Sequence, residues 1–149
     1  VLASKGKLIP ELEKQLHNIK FFKLPPPKSL GFEWVKENIL PILDTFKKKS
    51  INDILNTYTI FIAKQISYAL RGRKEALVTG GGTFNSFLVQ QIINRTSCSI
   101  IIPEDKIINF KEAIIFAFLG LLRNLNQINC YASVTGARKN HSSGNIFLP

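Results

Sequence analysis

At 149 residues, 45% of them hydrophobic, the chain has the length of one ordinary domain and enough apolar side chains for a core, which excludes a disordered polypeptide. Twenty Lys and Arg against ten Asp and Glu give a formal charge of +10, a balance that favours anionic partners such as nucleotides, nucleic acid or lipid surfaces. Only Lys47-Lys48-Lys49 and Arg71/Arg73/Lys74 cluster, and no aromatic side chains interleave them, so the charges read as solvated surface rather than a nucleic-acid stripe.

In chain order, Leu8, Leu12, Leu16 and Ile19 predict a helix over about residues 8–21. "KLPPPKSLG" stops it, because three prolines impose an extended stretch without N–H donors. A second helix begins near Gly31 and carries Trp34, Val35, Ile39 and Leu40 as far as Pro41. Lys47 to Lys49 form a short polar connection. The strongest helical pattern is Ser50 to Arg71. Ser50 stands in the cap position and Asp53 three residues on; Ile51, Ile54, Leu55, Tyr58, Ile62, Ile66 and Ala69 trace one face, and Gly72 is the stop.

"EALVT" (75–79) then reads as a buried strand, Asn85 as the cap of a helix with Leu88, Ile92 and Ile93 inside, and "SCSIIIP" (97–103) as a second strand. A last helix is expected from Asn109. It is apolar nearly all round from Ala113 to Leu122, the pattern of a centrally buried element. The tail from Tyr131 reads as loop with short extended pieces.

The class is α/β, organised as a helical lead-in with the PPPKS loop (1–49) and a helix-strand-helix-strand-helix core with its tail (50–149). Two strands make a poor sheet, since a parallel pair needs both faces covered and further neighbours, so the remaining strands are expected upstream of Val1. The absence of methionine and the valine at position 1 point the same way.

Cys98 and Cys130 match neither a CxxC nor a zinc spacing and read as two thiols in a reducing compartment. The longest apolar run, Ala113 to Leu122, is about half the ~20 residues of a membrane span, and no signal segment opens the chain; a cytoplasmic protein is expected. His17 and His141 have no partners at metal-ligand spacing and read as surface residues. No nucleophile with an adjacent base is visible.

Two places invite a functional reading. Gly80-Gly81-Gly82 between a strand and a helix puts bare N–H groups and a helix dipole at the carboxyl edge of a sheet, where anionic ligands dock. It is neither a P-loop nor a GxGxxG fingerprint, and a tight, closely packed structural turn explains it equally well. Glu112, three residues after Asn109, fits a capping box, or else a carboxylate at the lip of a cleft.

"LPPPKSLGFEW" (24–34), "VTGGGTFNSFL" (78–88), "NFKEAIIFAFLG" (109–120) and "SVTGARKNHSSGNIF" (133–147), in that order, resemble the C-terminal part of the anhydro-N-acetylmuramic acid kinases; "LASKGK" is similar to the stretch leading into that half. The resemblance implies an actin-like, hexokinase-like ATPase with a ribonuclease H-like fold. Two related α/β domains would enclose ATP and Mg²⁺, often in a homodimer. It implies an enzyme that opens the 1,6-anhydro ring of the sugar with water and phosphorylates O6 in cell-wall recycling.

It further implies nucleotide contacts at Gly80, Gly81, Gly82 and Asn85 and substrate contact at Glu112. The catalytic Asp and first phosphate loop are expected upstream, leaving this chain inactive alone, with its own N-terminal domain as partner. Departures from the family pattern are Gly31-Phe32-Glu33, where Gly-Arg-Glu is usual, and Phe118, where Trp is common. The alternatives are another sugar kinase of the superfamily, similar to glycerol and xylulose kinases, or a non-catalytic nucleotide-binding or dimerisation module.

Overall fold

The computed structural model describes residues 2–25 and 28–147, so two of the three prolines expected to form an extended stretch, Pro26 and Pro27, lie outside the described residues. The chain forms two units, Val1–Ile102 and Pro103–Pro149.

In the first unit, α1 (Pro10–His17) starts later than the leucine spacing predicts, because Pro10, with no N–H to lose, takes the first turn. Leu8 therefore lies outside the helix, 41% exposed, while Leu12 and Leu16 are fully buried. The helix also stops earlier: Ile19 turns extended before the single turn α2 (Lys20–Lys23). α3 (Phe32–Asn38) follows Gly31, and α4 (Leu40–Thr45) carries Pro41 in its first turn, so that proline opens a helix instead of closing one.

α5 (Ile51–Ala69) is the frame of this unit. Ser50 occupies its cap position without a side-chain bond, and Gly72, at φ +73°, ends the segment. Of the predicted apolar face, Ile54 alone is buried; Leu55, Tyr58, Ile62 and Ile66 are half-buried and Ala69 is exposed. Ile54 and Phe61 join Ile9, Leu12, Leu16 and Ile39 in the core, while Ile51 is exposed. Phe61 meets Phe22 edge-on at 5.0 Å and His17 at 5.2 Å. His17 is thus half-buried, with Nδ1 3.0 Å from the Glu13 carbonyl, and not the surface residue expected from its lack of metal partners.

Four of the seven buried positions of α5, Asn56, Thr57, Thr59 and Ser67, are polar, and Asp53 beside them is half-buried. Asn56 donates to the Ala3 carbonyl at 2.9 Å; Thr57 accepts from the Ile9 N–H at 2.9 Å, and Asp53 from the Lys7 N–H at 2.8 Å. These bonds dock residues 3–9 along α5, and in the two buried ones, at Asn56 and Thr57, each polar atom so paired avoids a cost of about 1–3 kcal/mol.

β1 (Glu75–Leu77) and β2 (Ser99–Ile101) pair in parallel, Glu75 opposite Ser99 and Leu77 opposite Ile101, with α6 (Ser86–Ile93) as the crossover between them. The described sheet has these two strands. β1 is not buried as expected: Glu75 and Leu77 are exposed, Leu77 at 64%, because none of the described residues covers that face. On α6, Ile92 faces inward but Ile93 does not, since one residue further is about 100° round the helix.

The second unit opens with α7 (Asp105–Asn124), one turn earlier than expected from Asn109. Pro103, Glu104 and Asp105 supply the start, with the Ile107 and Ile108 N–H groups reaching the Glu104 carbonyl. The all-round apolar stretch was expected to be buried; instead Ile114, Phe116 and Phe118 are exposed, and Ile108 is the buried residue of this helix.

The tail is more ordered than a loop. Asn129 donates to the Leu119 and Ser143 carbonyls and accepts from the Ser143 N–H, Cys130 and His141 form an antiparallel bridge, and α8 (Ala132–Thr135) ends at Gly136, φ +72°. His141 is half-buried by that bridge, another departure from a surface histidine.

Candidate functional site

The glycine turn sits at the carboxyl end of β1. The ladder continues one residue past the strand, the Val78 N–H donating to the Ile101 carbonyl at 2.9 Å, and Gly80 then takes φ +95° and ψ 168°. That backbone is open essentially to glycine alone. A 3-10 turn over Gly81–Phe84 follows. Thr83, buried, pins it: its N–H and hydroxyl both donate to the Gly80 carbonyl, at 3.0 and 2.6 Å. Asn85 then caps α6 as expected, its Oδ1 accepting from the Leu88 N–H at 3.2 Å.

Close packing does not explain the remaining glycines. A Cβ on Gly81 would meet nothing within 4 Å, and one on Gly82 would only touch Leu88. Among the described residues, the Gly81 and Gly82 N–H groups find no acceptor. The two unclaimed donors lie in open space beside the positive end of a capped helix, where negative charge is favoured. Thr83 was missed in the sequence reading, although a hydroxyl three residues after Gly80 is the signal of such a turn.

Glu112 lies in the second unit. Because α7 begins at Asp105, it stands in the third turn, so the capping-box reading is wrong: the N–H groups it was to satisfy are already bonded within the helix. Its carboxylate is exposed and without a hydrogen bond or ion pair among the described residues.

Two segments of the family-like blocks, around Lys28 and Thr135-Gly136, make internal contacts. Lys28 Nζ donates to the carbonyls of Phe21, Phe22 and Leu24 at 3.1, 3.3 and 2.9 Å and lies 5.2 Å from the Phe21 ring, tying off the end of α2. Thr135 Oγ1 donates to the Tyr131 carbonyl at 2.9 Å, and Gly136 supplies the left-handed stop after it. No helix among the described residues is long and apolar enough to cross a membrane.

Parallel strands joined through a glycine turn and a crossover helix define an α/β protein. The chain matches the family model for anhydro-N-acetylmuramic acid kinase over residues 1–149. An anhydro-N-acetylmuramic acid kinase of Bacillus cereus strain Q1 is 32% identical over 163 aligned positions, covering 99% of this chain and 42% of the relative. Those of Bacillus cereus strain ZK / E33L and Bacillus thuringiensis strain Al Hakam are 33% and 32% identical with the same coverage. The chain belongs to the anhydro-N-acetylmuramic acid kinase family, and it spans 42% of the length of these curated relatives. The glycerol and xylulose kinase alternative is not favoured by this match.

Proposed function

We propose that this chain is the nucleotide-side portion of a cytoplasmic ATP-dependent kinase that opens 1,6-anhydro-N-acetylmuramic acid with water and phosphorylates its O6. The observation that carries the reading is the Gly81 and Gly82 pair of unclaimed N–H donors, held in open space by Gly80, Thr83 and Asn85. Those donors would hold an oxygen of the nucleotide, with the α6 dipole favouring its charge. Thr83 and Asn85 fix the geometry, and Asn85 would stand beside the nucleotide with the glycines. Glu112, exposed and unpaired, would hold a sugar hydroxyl.

The exposed faces of β1 and α7 support a longer polypeptide in which further strands and a second α/β domain of the actin-like fold complete the sheet. The catalytic Asp belongs to that part, so the 149 residues alone are expected to be inactive. Bound Mg²⁺ would neutralise the nucleotide phosphates. The described residues gather no set of His, Cys, Asp or Glu that would ligate it, and none of the steps given to this chain runs through the ion. A homodimer is part of the proposal.

The test is conversion of anhydro-N-acetylmuramic acid by the whole protein, with Gly81→Val as the variant. Phosphorylated product from the parent and loss of ATP binding in the variant are the expected results. Failure of the whole protein to phosphorylate that sugar overturns the reading, and unchanged ATP affinity in Gly81→Val removes the glycine turn from it.

A further inference from the structure

Because β1 and β2 are parallel, both begin at the end of the pair away from the glycine turn. There, between the carboxyl ends of α5 and α6, a hollow of about 370 Å³ opens, at the small end of the roughly 300–1,000 Å³ typical of ligand sites. Lys64, Arg71 and Arg95 line it, with the hydroxyls of Thr96 and Ser97, and no carboxylate does. A concave surface lined by one sign of charge focuses the field toward a counter-ion.

Basic residues at helix ends commonly serve only to offset the last carbonyls. Arg95 does part of this, its Nη1 donating to the Gln91 carbonyl at 2.8 Å and to Gln91 Oε1, which leaves Nε and Nη2 uncommitted among the described residues. Arg71 does none of it. Its guanidinium lies 4.2 Å over the Tyr68 ring, a stacking that orients the planar fork while sparing its N–H edge. Lys64 is held by Glu13 at 2.6 Å through one of its three donors. All three cations are thus positioned by contacts that use only a fraction of their donors.

We infer that this hollow binds a small phosphate-bearing anion. Two planar forks and an ammonium match the oxygens of a phosphate group, and the neighbouring hydroxyls add donors at its rim. The volume suits a ligand of sugar-phosphate size and not a dinucleotide. The inference is independent of the kinase reading, which uses the opposite end of the strands.

The experiment is a calorimetric titration of the whole protein with inorganic phosphate, in the parent, in Arg71→Gln/Arg95→Gln and in Gly81→Val. Saturable binding is expected, weakened roughly tenfold or more in the double variant and unchanged in Gly81→Val. Both arginines are exposed, so the double variant should melt as the parent does. Arg71→Lys, which keeps the charge and loses the fork, is expected to weaken binding severalfold. Absence of saturable binding, binding indifferent to the arginines, or binding removed only by Gly81→Val would each overturn the assignment.

Discussion

α5 and α7 are 19 and 20 residues long and both rich in apolar side chains, yet they end in opposite circumstances. α5 is closed over by the segment at residues 3–9 and by α1, with Phe61 at 1% exposure; α7 leaves Phe116 at 71%. Apolar content fixes how much surface a helix must hide and says nothing about where its cover lies. For α5 the cover is nearby in sequence, and the helix reaches it with amides and hydroxyls as well as hydrocarbon. For α7 it is absent from the described residues, which fits a chain spanning 42% of its relatives' length.

The sharpest way to break this contrast is a pair of truncations followed by chemical denaturation. Phe61→Ala should destabilise the 149-residue chain by about 3–5 kcal/mol, and Phe116→Ala by no more than about 0.5 kcal/mol. Equal losses would mean that α7 is already covered. In the whole protein the Phe116→Ala cost should grow; an unchanged value there would deny α7 a partner.

A smaller effect tests the polar half of α5. Thr57→Val keeps the shape but strands the buried Ile9 N–H, and a loss of about 1–3 kcal/mol is expected. Next come the glycines: Gly80→Ala should cost about 1–2 kcal/mol through its positive φ, whereas Gly81→Ala, with room and an ordinary backbone, should leave stability level or raise it by up to about 1 kcal/mol. If both alanines cost the same, packing and not conformation governs the turn.

The smallest is a pH effect. Burial raises the Tyr58 hydroxyl above its ordinary 10.0, so the folded state favours the neutral phenol. That contribution is intact below pH 10 and is lost as pH climbs through the raised value. Tyr58→Phe should therefore flatten the alkaline fall in stability, measured by denaturation between pH 8 and roughly 11.

The parts of the fold legible in sequence are those governed by a residue and its immediate neighbours. Gly72 ending α5, Asn85 capping α6 and the glycine turn between strand and helix were all readable, because each depends on local backbone chemistry. The start of α7 was readable too, from Pro103-Glu104-Asp105, but Asn109 with Glu112 offered a competing signature four residues on. Burial was the poorly legible property. Asn56 and Thr57 are inside because of carbonyl and N–H groups some fifty residues away in the chain, a pairing that periodicity does not encode. Lys28 stands in the PPPKS block, but its three acceptors, the carbonyls of Phe21, Phe22 and Leu24, depend on α2 ending beside it.

Three bonds from α5 to residues 3–9 take main-chain atoms: the Ala3 carbonyl and the Lys7 and Ile9 N–H groups. Apart from the buried Ala3 and Ile9 side chains, what the helix recognises is a path and not a spelling. Exposed positions such as Lys5 and Lys7 are free to drift, whereas a Cβ at Gly6 would drive into the Asn52 carbonyl and the Asp53 nitrogen. A library randomised across this segment and selected for folding should return many side chains at Lys5 and Lys7, small or apolar ones at the buried Ala3 and Ile9, and one unvarying glycine at position 6.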